Sequence, residues 1–482
     1  MLGTVWSILW AGHYLAALVV IEHILRNRRD PRGMLAWILA LLLLPIVSLI
    51  LYLMIGYMPI ERKVRRRRRR RRVIEPELLK ATKAAVGPYD VMDMPELDPA
   101  QRSILRMSTR LSDSYVTHGN AVTIYHDAEA LFLSMSLAIE SAHSHIHMQY
   151  YIFSADETGR AVRDLLLRKA REGVEVRLLL DAVGCWRLPR SFVREMERGG
   201  IHVKFFLPWG LTRRRFHVNC RNHRKAIVID GQVGFLGSQN IGDEYLGRRR
   251  KYGPWRDTHL RVRGPAVTQL QEVFVEDWHF AAGEDLASQP RYFPEPQLGG
   301  AQIVQIIPSG PDRRLNVMHQ LLFAAVSDAR HSITLITPYF VPDRPMLLAL
   351  ESAAYRGVKV RLMLPARSDH RIVLWAARSY YQELLESGVE LYEYEEGMLH
   401  SKVVVVDRRW AMVGSANMDE RSFRLNFELT SILYDSELAQ ELLADFDELR
   451  GRARRVTAEA LQSWTYLQTL AAGASRLATP LL

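Results

Sequence analysis

Two short segments of the sequence carry the same polar and small residues at the same spacing. Each segment reads His-x-Lys, four apolar residues, Asp, six further residues and then Gly-Ser-x-Asn, and the second copy follows the first by 177 positions. A buried strand that surfaces at a turn would account for one such segment, but chance does not account for six matched positions in two copies. The matched pairs are His223 and His400, Lys225 and Lys402, Asp230 and Asp407, Gly237 and Gly414, Ser238 and Ser415, and Asn240 and Asn417.

The spacing of these residues suits a tetrahedral anion such as phosphate. His and Lys two positions apart project from one face of a strand, so an imidazole and an ammonium group meet the same ligand. Two facing half-sites would bring two imidazoles to one phosphorus, one attacking it and the other protonating the leaving oxygen. We therefore predict catalytic roles for the His, Lys and Asp of both copies, and phosphate contacts for Ser238, Asn240, Ser415 and Asn417.

A reacting imidazole also needs a partner that anchors its other ring nitrogen. Glu428 follows His400 by 28 positions in "NFELTSILY", and aligning "DTHLRV" with "ELTSIL" makes Asp257 its counterpart in the first copy. We predict that these two carboxylates orient the two imidazoles. The alternative is that both are ordinary acids at strand edges.

The elements around the two motifs also repeat. The stretch "REGVEVRLLLD" at 171–181 aligns with "YRGVKVRLMLP" at 355–365, and both follow a helical pattern and precede the motif. The alternation of strand and helix predicts an α/β fold with two copies of one unit, at 116–290 and 301–482, each a mixed sheet flanked by helices and packed as a pseudo-dimer. Residues 61–115 are predicted to form a basic and acidic linker with a short helix.

The N-terminal 60 residues have a different composition. Leu2–Ile21 and Met34–Met58 contain no charged residue, and each is as long as the ~20 residues that cross a bilayer as a helix. We predict a multi-pass transmembrane hairpin over 1–60, with a buried pair of globular helices as the alternative. Four arginines lie between the two spans and ten cations lie in Arg62–Arg72, so the positive-inside rule places the later residues in the cytoplasm.

The basic character of the chain is concentrated in one place. Removing the eight arginines of Arg65–Arg72 from the net charge of +11 leaves +3, which argues against a nucleic-acid-binding body. We predict that this run holds the protein against anionic lipid headgroups, with a nucleic-acid arm or a stop-transfer signal as alternatives. The two cysteines provide no disulfide framework and are typical of a reducing compartment.

The doubled motif resembles that of the phospholipase D superfamily, and the wider chain resembles the bacterial cardiolipin synthases. The narrower resemblance is carried by "YYIFSADETG", "NHRKAIVIDG", "WRDTHLRVRGP", "IPSGPD", "TPYFVPD", "LHSKVVVVD", "GSANMDERSF" and "RLATPLL". It implies a phosphatidyltransferase of the bacterial inner membrane that needs no metal or cofactor, and possible oligomers. The expected reaction joins two phosphatidylglycerols into cardiolipin, with release of glycerol, through a phosphatidyl-histidine.

The resemblance also assigns roles to individual residues. His223 would be the nucleophile and His400 the general acid, while both Lys and both Asn residues bind phosphate and Asp230 and Asp407 organise the site. Two alternatives stay open within the same chemistry: a phospholipase D-type hydrolase or nuclease, and a transferase that uses phosphatidylethanolamine as its co-substrate.

Overall fold

A computed structural model describes most of the chain. The described residues are 2–26, 31–44, 46–52, 67, 73–83, 87, 97–208, 220–249, 253–312, 316–477 and 479. The chain divides into two compact units, one of Met1–Lys63 with Trp209–Cys220 and one of Val64–Pro208 with Arg221–Leu482. Both motifs belong to the second unit.

The N-terminal unit contains three helices, α1 (Leu2–Arg26), α2 (Pro31–Leu43) and α3 (Val47–Leu51). Its small core is formed by Ala17, Ile24, Leu41 and Tyr52. Over the part of the chain that the structure describes, no helix is both long enough and apolar enough to cross a membrane.

The structure therefore does not support the predicted transmembrane hairpin. The uncharged run Met34–Met58 is not one helix, because α2 ends at Leu43 and Ile46 has a positive φ of 64° before α3 begins. Residues 45 and 53–58 of that run lie outside the described residues. In α1 the apolar sequence contains His13, whose ring bonds to the backbone of Leu41 and Ile46.

The second unit begins with helical residues 73–83 and with α4 (Pro99–Ser112). Asp98 and Gln101 form a capping box at the start of α4, with Pro99 in its first turn. Ile104 and Leu105 on this helix are buried in the core of the second repeat. The last part of the predicted linker is therefore packed into the folded body.

The strands and helices of 116–290, here called repeat 1, alternate as the sequence predicts. They are β1 (Val116–Tyr125), α5 (Ala128–Glu140), β2 (His145–Tyr150), α6 (Glu157–Arg171), β3 (Glu175–Asp181), α7 (Arg190–Arg198), β4 (His202–Phe206), β5 (Ala226–Ile229), β6 (Val233–Gly237), β7 (Trp255–Arg256), β8 (His259–Arg263), α8 (Ala266–Ala282) and a 3-10 turn at Pro290–Tyr292.

Residues 301–482, here called repeat 2, follow the same order with additional short elements. They are β9 (Gln302–Ser309), α9 (Val317–Asp328), β10 (Ser332–Ile336), β11 (Phe340–Val341), α10 (Arg344–Tyr355), β12 (Lys359–Pro365), α11 (Arg371–Arg378), α12 (Tyr381–Glu386), β13 (Glu390–Tyr394), β14 (Met398–Leu399), β15 (Val403–Val406), β16 (Trp410–Gly414), β17 (Met418–Asp419), α13 (Glu420–Arg424), β18 (Glu428–Leu433), α14 (Ser436–Arg450), β19 (Ala453–Val456), α15 (Ala458–Gln462) and α16 (Tyr466–Leu477).

One large mixed sheet runs through both repeats. Its strand order is β19-β13-β12-β10-β15-β16-β18-β9-β1-β8-β6-β5-β2-β3-β4. Strands β1 and β9 pair antiparallel at the junction of the two repeats, and the strands on each side of this junction form one arm of the sheet. From the junction outward, the equivalent strands of the two repeats follow in the same order in both arms. In each arm three consecutive strands, β2, β3 and β4 or β10, β12 and β13, pair in parallel. The repeat 2 arm has one more strand at its edge, β19, which pairs antiparallel with β13. The mixed α/β sheet is confirmed, and the two repeats share it edge to edge.

The motif strands β5 and β15 lie inside each arm of this sheet. Their sequences, Ala-Ile-Val-Ile and Val-Val-Val-Val, are buried along their whole length, as expected for strands with both faces covered. On one face, Val228 and Val405 join a core that also contains Leu270 of α8 and Phe446 of α14. This packing fixes the residues that immediately precede each strand.

Candidate active site

The first half-site is built where the chain enters β5. The backbone N–H of His223 donates to the carbonyl of Phe427 at 2.9 Å, and Asn222 forms a bridge with the same residue. Nδ1 of His223 lies 2.9 and 3.0 Å from the two carboxylate oxygens of Glu428. The imidazole that repeat 1 supplies is thus held by a carboxylate from repeat 2.

The second half-site mirrors this arrangement at the entry to β15. Strand β14 pairs in parallel with β7, and the N–H of His400 donates to the carbonyl of Arg256 at 2.7 Å. Nδ1 of His400 lies 2.7 Å from Oδ1 of Asp257. Repeat 1 therefore supplies the carboxylate for the imidazole of repeat 2.

The pairing of the carboxylates differs from the sequence-based expectation. Alignment placed Glu428 with His400 and Asp257 with His223, each within one repeat, whereas the structure exchanges them. The cause is the pairing between repeats, since Phe427 bonds to His223 and Arg256 bonds to His400. In an exchanged arrangement neither half-site is complete without the other repeat.

Two buried lysines complete the constellation. Nζ of Lys225 donates to the carbonyl of His223 at 2.6 Å, and Nζ of Lys402 donates to the carbonyl of His400 at 2.7 Å. Burial lowers the pKa of both ammonium groups, against the opposing pull of Glu428 and Asp257, and brings that of Lys402 to about 8. Both lysines interact electrostatically with both carboxylates, so the charges of the two half-sites are coupled.

Burial also lowers the pKa values of the two imidazoles. It lowers the pKa of His223 to about 4, although Glu428 opposes the shift, and lowers the pKa of His400 with the help of Lys402. Burial alone would raise the pKa of Asp257, but the contact with His400 holds it at about 2. Burial would likewise raise the pKa of the Glu428 carboxyl, but the contact with His223 has the larger opposite effect, and the pKa of Glu428 is lowered. At neutral pH the site therefore holds neutral imidazoles beside ionised carboxylates.

The predicted phosphate-binding serines hold carboxylates and backbone instead. Oγ of Ser415 donates to Glu428 and accepts from the N–H of Leu429. Oγ of Ser238 exchanges hydrogen bonds with the backbone of Thr258, next to Asp257. Each serine thus fixes the strand that carries an orienting carboxylate.

The two asparagines differ in their contacts. The amide of Asn240 accepts from the N–H of Ile152 at 3.2 Å and donates to the hydroxyl of Tyr245 at 3.1 Å. Oδ1 of Asn417 is buried and has no hydrogen-bond partner in the described part of the chain. Because an amide oxygen only accepts hydrogen bonds, Asn417 would contact a phosphate through its Nδ2 group and not through this oxygen.

The two motif aspartates do not reach the site. Asp230 and Asp407 follow the far ends of β5 and β15 with positive φ values of 52° and 51°. The carboxylate of Asp230 accepts from the N–H groups of His143, Ser144 and His145 at 2.7–2.8 Å. Asp407 bonds in the same way to the N–H groups of residues 330–332. Both carboxylates thus fix the loops before β2 and β10, which gives the two aspartates an organising role rather than a reacting one.

Sequence reasoning missed a buried charge network behind His223. Arg224 donates to Asp277 at 2.7 Å and to the backbone carbonyl of Glu428 at 3.0 Å. Asp277 also accepts from Arg67 at 2.6 Å, and Arg67 donates to Asp312 at 2.6 Å. The guanidinium of Arg67 lies 4.6 Å from the ring centre of Phe427.

This network changes the interpretation of the arginine run. Arg67 is only 3% exposed, so it does not face lipid headgroups. The other residues of Arg65–Arg72 lie outside the described residues, and no signal in a run of eight identical residues distinguishes this one.

Aromatic rings line both imidazoles. The ring of Tyr151 lies 4.9 Å from that of His223, and Trp255 and Tyr245 lie 5.3 and 6.5 Å from His400. Among the described residues, no group of three or more His, Cys, Asp or Glu could hold a metal ion.

Two carboxylate-anchored imidazoles, each beside a lysine, on a doubled mixed sheet define a phospholipase D-type enzyme of phosphoryl transfer. A family model described as "Cardiolipin synthase, PLD-like domain" matches residues 135–278 and 322–450. A second model, described as "Phospholipase_D-nuclease N-terminal", matches residues 15–56. The chain belongs to the cardiolipin synthase family of the phospholipase D superfamily, and it is a phosphatidyltransferase.

Curated relatives cover nearly the whole chain. A cardiolipin synthase of Geobacillus kaustophilus is 42% identical over 97% of this chain and 92% of its own length. The major cardiolipin synthase ClsA of Bacillus subtilis is 36% identical over 99% of this chain and 98% of its own. Family membership implies phospholipid substrates and association with a membrane.

A solved structure of low identity shares the fold. The phosphatidylserine synthase of Haemophilus influenzae is 16% identical, with a TM-score of 0.59 over 79% of this chain and 100% of that one. At this identity the likeness concerns the fold alone.

Proposed function

We propose that this chain makes cardiolipin from two molecules of phosphatidylglycerol through a covalent phosphatidyl-histidine. The exchanged pairs His223–Glu428 and His400–Asp257 carry this proposal. They present two neutral imidazoles, each with its Nδ1 anchored and its Nε2 available for chemistry. A phosphodiester bound between them meets a nucleophile on one side and a proton carrier on the other.

In the first half-reaction, Nε2 of His223 attacks the phosphorus of one phosphatidylglycerol. A P–N bond forms and the bond from phosphorus to the glycerol headgroup oxygen breaks. His400, protonated when the anionic substrate binds, delivers its proton to that oxygen, so glycerol leaves as a neutral alcohol. Lys225 and Lys402 stabilise the charge on the non-bridging oxygens, and Glu428 stabilises the cationic imidazole of His223.

In the second half-reaction the roles reverse. Neutral His400 takes the proton of a headgroup hydroxyl of the second phosphatidylglycerol, and that oxygen attacks phosphorus as the P–N bond breaks. Cardiolipin leaves, His223 is neutral again, and His400 again holds one proton, as it did when the first half-reaction began; that proton is released to solvent with the product. Water in place of the lipid alcohol would give phosphatidate, so the acceptor decides between transferase and hydrolase.

We assign the catalytic part of the chain to the cytoplasmic face of the inner membrane. The excess of cations in Arg62–Arg72 over the Arg26–Arg32 loop supports this side. Leu15, Leu18 and Leu43 on α1 and α2 are 69%, 63% and 73% exposed, which supports attachment of the N-terminal residues to lipid.

Product analysis with defined lipids tests this function. Purified full-length protein in phosphatidylglycerol vesicles is expected to release one glycerol for each cardiolipin formed, and His223→Ala is expected to form none. Denatured His400→Ala protein is expected to carry a phosphatidyl group on His223 by peptide mass spectrometry. Phosphatidate without cardiolipin would contradict the transferase, and a lipid adduct on His400 in the wild type would reverse the two roles.

A further inference from the structure

Two loops occupy equivalent positions in the two repeats. Residues 182–189 connect β3 to α7, and residues 366–370 connect β12 to α11, where β3 and β12 are matching strands of the two arms. We call these segments, with the first turn of the helix that follows each, the mouth loops.

The first mouth loop is fixed to the first half-site. Oδ1 of Asp181 accepts from the N–H groups of Val183 and Gly184 at 2.9 Å, and Oδ2 accepts from Asn222, the neighbour of His223, at 2.9 Å. A Cβ on Gly184 would lie 1.9 Å from the carbonyl oxygen of Tyr151. The loop therefore packs directly on the tyrosine whose ring contacts His223.

The second mouth loop lies beside the second half-site. The hydroxyl of Tyr339 donates to Oδ1 of Asp369 at 2.7 Å, and its ring lies 5.8 Å from that of His370. The carboxylate of Asp369 is close enough to Lys402 to stabilise its ammonium form. Each mouth loop is thus one or two contacts from a catalytic group.

Both mouth loops present an apolar side chain and arginines to the solvent. Trp186 is 62% exposed and Ile372 is 57% exposed. The guanidinium of Arg187 lies 4.9 Å from the centre of the Trp186 ring. Within the described chain none of the exposed arginines of the mouth loops makes an ion pair; they are Arg187, Arg190, Arg367 and Arg371.

We propose that the two mouth loops form the surface on which the active site docks against an anionic phospholipid bilayer. This inference rests on the proposed function, because it names the source from which the site takes its substrate. Trp186 and Ile372 enter the boundary between headgroups and acyl chains, where amphipathic and apolar side chains are favoured. The four arginines bind lipid phosphates around the opening, and their charge is complementary to phosphatidylglycerol.

Contact with a bilayer would explain why Trp186 and Ile372 are exposed, although exposure of large apolar side chains to water is unfavourable. More than half of the surface of Trp186 and of Ile372 is exposed to water on the two sides of a polar site, even though Arg187 lies against the Trp186 ring. A bilayer pressed against both loops would cover both side chains at once. A phospholipid could then reach the imidazoles headgroup first, with its acyl chains still in the membrane.

Comparing lipid in vesicles with lipid in solution tests the surface. Full-length protein carrying Trp186→Ala with Ile372→Ala is assayed on phosphatidylglycerol vesicles and on a short-chain phosphatidylglycerol kept below its micelle concentration. The vesicle concentration for half-maximal rate is expected to rise about tenfold or more with kcat unchanged. Turnover of the soluble lipid is expected to stay the same.

Matched variants separate docking from general damage. Leu133→Ala with Leu137→Ala removes side chains that are 63% and 58% exposed on α5 and is expected to change neither assay. Each Arg→Gln change in the mouth loops is expected to weaken sedimentation with phosphatidylglycerol vesicles about fivefold at low salt, and to have no effect with phosphatidylcholine vesicles.

Different results would overturn the docking surface and the proposed function. Unchanged vesicle kinetics in the Trp186 and Ile372 variant, or an equal loss on soluble and vesicle lipid, would overturn the docking surface. Absence of cardiolipin from wild-type protein with either lipid would overturn the proposed function, and the sedimentation series would still decide whether the mouth loops bind anionic bilayers.

Discussion

At the scale of single residues, the site depends on which carboxylate holds which imidazole. The spacing of the doubled motif selected His223, His400 and both lysines, and alignment of later segments proposed the two orienting acids. It could not select partners, because alignment within one repeat contains no information on strand pairing between repeats. The exchange arises from the bonds of Phe427 to His223 and of Arg256 to His400.

The exchanged pairs predict a specific response to removing each carboxylate. Glu428 raises the pKa of His223 and Asp257 raises that of His400, so Glu428→Gln should lower the pKa of His223 alone and Asp257→Asn that of His400 alone. NMR titration of labelled histidines, assigned with the His→Ala variants, measures both values. A shift of His400 in Glu428→Gln would show pairing within each repeat.

The motif aspartates illustrate a different limit of sequence reasoning. Asp230 and Asp407 recur with the catalytic residues, but strands of four buried residues separate them from the lysines. Recurrence identifies residues that both repeats need and does not distinguish a reacting group from a turn that fixes the sheet.

Asp230→Asn is expected to reduce stability rather than catalysis. Asparagine tolerates the positive φ but loses the charge that accepts three backbone N–H groups, at a cost of about 1–3 kcal/mol. Thermal unfolding should occur at a lower temperature, while kcat at 25 °C stays within about threefold of the wild type. Asp407→Asn serves as the matched variant. Loss of kcat by orders of magnitude at unchanged stability would restore a catalytic role.

At the scale of elements, periodicity predicted the strands and helices of both repeats well. Buried runs such as "VEVRLLLD" and "VKVRLMLP" became β3 and β12. Elements outside the repeats were harder to predict. Helix α4 has its own capping box and buried face but falls in a stretch of mixed composition, and the hydrophobic N-terminal run is divided between α2 and α3.

The buried Arg67 is expected to stabilise the folded protein by joining Asp277 of α8 to Asp312, which follows β9. Arg67→Ala leaves Asp277 and Asp312 without their shared partner in a buried position, which typically costs about 3–5 kcal/mol. Chemical unfolding should show this loss, together with a lower kcat as Arg224 repositions near Glu428. Arg409→Ala, which removes an exposed arginine paired with Asp98, should leave both unchanged. Wild-type stability in Arg67→Ala would contradict the network.

At the scale of the whole molecule, the two repeats form one catalytic unit because they share a sheet and exchange carboxylates. Pairing of β1 with β9 joins the two arms into one sheet. Each half-site also depends on backbone hydrogen bonds to the other repeat. Sequence symmetry predicted two copies of one unit. The continuity of the sheet depends on edge pairing, which composition and periodicity do not encode.

Binding of orthovanadate to the full-length enzyme tests this central claim most directly. Vanadate adopts the five-coordinate geometry of phosphoryl transfer, so a structure of the complex shows which groups approach the transferred atom. The account predicts one vanadate per chain, with Nε2 of His223 and Nε2 of His400 on opposite sides of a single vanadium. Two vanadates in separate pockets, or one that contacts only one imidazole, would contradict it.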